Sequence, residues 1–161
     1  IRGSEFYYSE LQGAYVSNSG SFTGPWNKIA DSNKLANSGS ALKAQVPHVG
    51  LYFTGYQPGV QAWYNQFLGV DPKNPKHVFL GLEEVYESFN GGATWRTTGP
   101  YWNFLFPCWT PSVTLPQNGC PTTTHSDQHD IAFGTGRSAG QVFVGNDGGL
   151  YRRAVSRSAR R

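Results

Sequence analysis

Apolar residues recur along this chain at alternate positions or in short blocks cut by turn residues. Over no long window do they take the i, i+3, i+4 spacing of an amphipathic helix. That pattern predicts short strands joined by tight turns. The clearest block is QFLGVDPKNPKHVFLG, Gln66 to Gly81, and it superposes without a gap on DIAFGTGRSAGQVFVG, Asp130 to Gly145. Val78 falls on Val142, Phe79 on Phe143 and Gly81 on Gly145. Each copy reads as strand, turn, strand, and each runs on into a further aromatic strand, EVYES in one and GLYRR in the other. GAYVSNSGSFTGPW near the start is a third, weaker copy.

A repeated sheet-forming unit buries its faces against its neighbours rather than alone, so the copies are expected to be blades. The expected fold is all-β: a partial β-propeller of two to three antiparallel sheet blades. Its repeats lie near 7–65, 66–129 and 130–152 within one domain spanning 7–152. The spacing of about 65 residues exceeds the roughly 40 to 50 of ordinary blades, so long insertions such as Thr97 to Thr124 belong at blade edges. A propeller takes roughly four to eight blades, so these copies alone do not close a ring. Open blade edges and an uncovered apolar blade face are expected to drive homo-oligomerisation.

Composition sharpens the picture. With 20 Gly, 10 Pro, no Met and 14% charged residues in 161, the chain is rich in turns. The net charge is only +3, and Arg153, Arg157, Arg160 and Arg161 crowd the last positions, so no nucleic-acid surface is implied. Nothing approaches the ~20 apolar residues of a membrane span, and no membrane partner is expected. IRGSEF (1–6) reads as vector-encoded, and 153–161 as a basic tail without an assigned role. Cys108 and Cys120 share the Pro- and Thr-rich stretch FPCWTPSVTLPQNGC. A bridge between them would contribute about 3 kcal/mol and points to a secreted, extracellular protein; the alternative is a pair of reduced thiols.

SFNGGATW, Ser88 to Trp95, resembles the Asp box, Ser-x-Asp-x-Gly-x-Thr-Trp, of bacterial neuraminidase repeats in sialidases, sortilin-like proteins and glycoside hydrolase family 74. Ser88, Asn90, Gly92, Thr94 and Trp95 match in register, with Asn90 in the place of Asp. Asn makes the same side-chain bonds across a turn. The resemblance spans roughly Tyr15 to Arg152. It implies hairpins between the outer strands of blades, and a carbohydrate-active module acting on or binding a polysaccharide or oligosaccharide. The hydrolytic reading stands beside a non-catalytic carbohydrate-binding or assembly module.

Three constellations could carry chemistry. In HSDQH, an extended backbone would send His125, Asp127 and His129 to one face, a tripod for a divalent ion such as Zn²⁺ or Ca²⁺. Of Glu83 and Glu84, one is expected to face the interior; Glu83, beside aromatic rings, would then hold a raised pKa and act as general acid with Asp127 or Asp147, the alternative being an exposed strand end with solvated charges. GNDGGLYRR is similar to the Asp-x-Gly-Gly-x-Tyr-Arg segment that supplies a catalytic carboxylate in family 74. The family's carboxylate position falls on Asn146, and strand alternation turns the neighbouring Asp147 to the opposite face. A sialidase arginine clamp cannot be assembled, since Arg96 and Arg137 are the arginines away from the two ends. Trp63, Tyr64, Tyr101, Trp102 and Trp109, in Gly- and Pro-rich surroundings, either stack on sugar or fill the spaces between blades.

Overall fold

The computed structural model describes residues 11–40, 59–61, 64–100 and 123–155. Trp63, Tyr101, Trp102 and Trp109 lie outside the described residues, and so do Cys108 and Cys120 with the disulfide expected between them.

Each repeat is a separate antiparallel sheet. The weak first copy forms a two-stranded sheet, β1 (Ala14–Val16) with β2 (Asn27–Ala30). The second copy forms β3 (Phe67–Asp71) and β4 (Asn74–Gly81), and the chain continues as β5 (Val85–Ser88) and β6 (Arg96–Gly99) in a four-stranded meander. The third forms β7 (Gln128–Phe133), β8 (Gln141–Asn146) and β9 (Gly149–Ala154). The architecture is all-β, three blade-like sheets with no closed barrel among the described residues: a partial β-propeller.

Alternation along β4 shows how the stack is held. Val78 and Leu80, with Leu82 and Tyr86, pack on Ala14, Ala30 and Leu35 of the first unit; Phe79 and Val85 pack on Val142 and Val144 of the third. The middle sheet is therefore covered on both faces, and HVFLG reads as a continuous apolar run rather than an alternating one. The repeat carries the same logic forward. Val78 faces the preceding sheet, and so does its equivalent, Val142. Gly69 allows β3 to lie against β7, because a Cβ there would sit 2.6 Å from Ile131 Cγ2.

The SFNGGATW hairpin joins β5 to β6, the two outer strands. Ser88 Oγ donates to Asn90 Oδ1 (3.0 Å) and accepts from the Gly92 N–H (2.8 Å); Asn90 Oδ1 accepts from the Thr94 N–H (2.8 Å), and Asn90 Nδ2 donates to Thr94 Oγ1 (2.9 Å). Trp95 Nε1 donates to the Ile29 carbonyl (2.9 Å), fastening the hairpin to the first sheet.

Three details depart from expectation. A short helix, α1 (Ser32–Ala36), follows β2, capped by Asp31 accepting from the Lys34 N–H and burying Leu35 and Ala36. The third sheet begins at Gln128 and runs to Ala154, taking residues from both neighbouring segments. Arg153, expected in a tail without a role, is a strand residue whose guanidinium reaches across to the second sheet and donates to Glu87 Oε1 (2.7 Å). Glu87 is fully buried and also accepts from Arg96 (2.8 Å) and lies 2.7 Å from His77 Nε2. Burial acts to raise its pKa, but the bonds from Arg153, Arg96 and His77 outweigh this and hold it below the ordinary glutamate value. Among the described residues no helix is long and apolar enough to cross a membrane.

Candidate functional site

Antiparallel topology brings four segments to one end of the second and third sheets: the residues before β3, the β4–β5 turn, the residues before β7, and the β8–β9 turn. Each supplies polar side chains, and they meet.

At the β4–β5 turn Glu83 and Glu84 are both buried, not one of the two. They turn to different neighbours. Glu84 accepts from Ser40 and from the Tyr86 hydroxyl (2.7 Å) on the side of the first sheet. Glu83 lies with Asn65 and Asp127. The Asn65 carboxamide, fully buried, donates through Nδ2 to Glu83 Oε1 (3.1 Å) and to Asp127 Oδ1 (2.6 Å). Burial comes first in raising the Glu83 pKa to about 7; the Asp127 charge adds to it, and the Asn65 bond opposes it.

Asp127 is held with φ +61, a left-handed conformation that non-glycine residues seldom adopt but that Asp tolerates. It is buried, and Ser126 Oγ donates to its second oxygen (3.2 Å). Such a backbone position, over-determined by side-chain bonds, is found where geometry serves a site.

Asp147 occupies the two-residue turn between Asn146 and Gly149 rather than a strand. Strand alternation therefore does not govern it, and the expected turn to the opposite face is corrected. Its Oδ1 accepts from the Tyr64 hydroxyl (2.8 Å) and lies 2.6 Å from His129 Nε2, whose ring meets Tyr64 edge-on at 4.8 Å. Partial burial pushes the Asp147 pKa up, but the bonds from His129 and Tyr64 outweigh it and leave the carboxyl below its ordinary value. The same bond to Asp147 raises the Tyr64 pKa. Asn146 is structural: its Nδ2 donates to the His125 carbonyl (3.1 Å) and to Gln128 Oε1 (3.2 Å), and its Oδ1 accepts from the Gly148 N–H (3.1 Å). Gly148 leaves room for His125, which a Cβ there would approach to 2.5 Å.

The His125, Asp127, His129 tripod does not form. The chain bends at Ser126 and Asp127 before β7 starts, and a register shift follows between Gln128 and Asp130. The alternation that would align the three is broken. Asp127 turns inward to Asn65, His129 turns to Asp147, and His125 Nδ1 lies 3.0 Å from the Ser126 carbonyl. Among the described residues no group of three His, Cys, Asp or Glu is arranged to hold a metal ion.

Of the predicted residues, then, Glu83, Asp127, Asp147, His129 and Tyr64 come together. Sequence reasoning missed Asn65. The signal was present, because extending the gapless repeat by one residue places Asn65 on His129, and extending it the other way places Glu83 on Asp147. A cleft of about 490 Å³ at the opposite end includes Asp71, His77 and Phe89 in its lining. Its polar groups are turned on one another: His77 lies 3.2 Å from Asp71 and 2.7 Å from Glu87, and its ring stacks on Phe89 at 4.4 Å. No family model matches the chain, and neither a curated protein nor a solved structure is similar to it at a level that carries an argument.

Proposed function

We propose that this end of the second and third sheets is a carbohydrate-processing site and that the chain hydrolyses an O-glycosyl bond of a polysaccharide or oligosaccharide. The observation that carries the reading is a pair of carboxyl groups at one site driven in opposite directions, Glu83 up to about 7 and Asp147 below its ordinary value. A carboxyl still protonated near neutrality beside one that stays charged is the division that glycosidic cleavage requires. Glu83 donates its proton to the departing sugar oxygen as the bond to the anomeric carbon breaks. Asp147 takes a proton from the attacking water, or attacks the anomeric carbon itself, and stereochemistry of the product separates the two. Burial keeps Glu83 protonated, and the Asp127 charge adds to it. The Ser88–Trp95 hairpin, with its likeness to the Asp box, supports the carbohydrate assignment, and a bridge between Cys108 and Cys120 would suit work outside the cell.

The test is release of reducing sugar from a panel of β-glucans and xyloglucan by the unmodified chain, Glu83→Gln and Asp147→Asn. Turnover reduced at least about a hundredfold in both variants is expected. Turnover that survives Glu83→Gln removes it as proton donor. A second reading, binding without hydrolysis, draws on Tyr64, whose half-exposed ring stands at the rim beside His129. Retention on immobilised polysaccharide without turnover, weakened by Tyr64→Ala, would favour it.

A further inference from the structure

In sequence, the gapless repeat that aligns β4 with β8 also aligns polar residues of the site, although the first strand of the third sheet pairs one residue out of step with that alignment. Glu83 and Asp147 occupy the same place, in the hairpin turn after the second strand of each sheet. Asn65 and His129 are aligned in sequence, Asn65 fully buried just ahead of β3 and His129 exposed at the start of β7, where the register shifts. In each sheet the entry residue holds the turn acid: Asn65 Nδ2 is 3.1 Å from Glu83 Oε1, and His129 Nε2 is 2.6 Å from Asp147 Oδ1. Two further bonds cross between the sheets. Tyr64, from the second sheet's entry, holds the third sheet's acid, and Asn65 holds Asp127 from the third sheet's entry.

A residue near the first strand's start thus clasps a turn acid in both sheets, and the chemistry of the clasp differs. In one copy the clasp is a neutral amide, in the other an imidazole. An amide donates without carrying charge, whereas an imidazole can accept a proton and become a cation against a carboxylate. The surroundings reinforce the difference. Glu83 meets the Asp127 carboxylate, feels Asp147, and has Glu84 as its neighbour in the turn; Asp147 meets Tyr64 and His129, with His125 close enough to act on its charge.

We propose that Asn65 and His129 are positioning residues that divide the labour between the two turn acids they hold, Glu83 and Asp147. The amide leaves Glu83 able to keep a proton, and the imidazole keeps Asp147 ionised. This rests on the reading of Glu83 as proton donor and Asp147 as its charged counterpart. It adds the residues that assign those roles.

Exchanging the clasps tests it. In Asn65→His the Glu83 carboxyl should titrate lower, toward an ordinary glutamate. In His129→Asn the Asp147 carboxyl should titrate higher, each followed by carbon-13 NMR of the side-chain carboxyls and assigned with Glu83→Gln and Asp147→Asn. If sugar release is present, the basic limb of its pH profile should move to lower pH in Asn65→His, with a loss of about fivefold at pH 7 for the first unit of displacement from about 7. A merely structural role would change stability and leave both titrations in place. Unmoved titration of Glu83 in folded Asn65→His, or of Asp147 in His129→Asn, overturns the inference. Should the buried Asn65→His fail to fold, His129→Asn at the half-exposed position decides alone. Titrations that move as stated in a protein that cleaves no glycan uphold the division of labour and overturn the hydrolytic reading.

Discussion

Glu83 makes stability fall as pH rises toward neutrality. Glu83 keeps its proton to about pH 7 in the folded chain, because burial and the Asp127 charge disfavour the anion, while in the unfolded chain it releases it near its ordinary 4.5. Below 4.5 both states are protonated and the folded state has its full stability from this group. As pH rises toward 7 the unfolded state gains by ionising and the folded state does not, so stability falls across that window, by on the order of 3 kcal/mol. Glu83→Gln cannot ionise. Its thermal midpoint should therefore vary less between about pH 5 and pH 8 than that of the unmodified protein; equal dependence in both would show that Glu83 is not the group responsible. Asp147 acts in the other sense and in a lower window: its depressed pKa gives stability at neutral pH that is lost as pH falls through the carboxylate range. At this scale the sequence is partly legible. Residue type alone marks Glu83, Asp127 and Asp147. Direction is what it does not reveal, since both glutamates of the turn are buried, and Asp127 turns inward only because a left-handed backbone angle redirects it.

Hairpins and repeats are the most legible part of the chain, because their chemistry is local. Val-Phe-x-Gly after a turn, twice in register, marks β4 and β8, and SFNGGATW marks the β5–β6 hairpin. The side chains of that hairpin show why Asn serves where the resembled motif has Asp: Oδ1 takes the bonds from Ser88 and the Thr94 N–H, and Nδ2 meets only a hydroxyl that can reverse its role. Asn90→Asp should accordingly change stability by no more than about 0.5 kcal/mol, read from urea unfolding. Ser88→Ala, which strips the Gly92 N–H of its acceptor, should cost about 1–3 kcal/mol. Gly92 is more constrained. It has φ +87, and a Cβ would lie 2.5 Å from Ile29 Cβ in the first sheet. Gly92→Ala should push the hairpin off that sheet and raise hydrogen exchange in β1 and β2, and unchanged exchange there would refute this packing. The helix α1 escapes detection because its five residues hold no periodicity; only the Asp31 cap announces it.

At the scale of the stack, the repeat predicts which surface is left open among the described residues. Phe79 fills the space between the second and third sheets, but its equivalent, Phe143, lies on the outer face of the third sheet, and Leu150 stands 74% exposed in the register pair beside Gly145. That face is the counterpart of one that is covered elsewhere in the stack, and a second copy is its expected occupant. Sedimentation at micromolar concentration should show self-association that Leu150→Asp weakens; a monomer throughout would end that expectation. Blade number and stacking order follow from the repeat, whereas contacts between sheets do not, because they join residues far apart in the chain. Arg153 and Glu87 are the clearest case: in sequence one reads as tail and the other as an ordinary strand residue.

That contact has a mechanical meaning. Glu87 and Arg153 tie the second sheet to the third near the ends of β5 and β9, while Glu83, Asp127 and Asp147 lie at the other end of the same two sheets. The pair behaves like a clothes peg sprung at one tip and working at the other. A guanidinium at the far end of the strands thus helps to hold together the two sheets that carry the two acids.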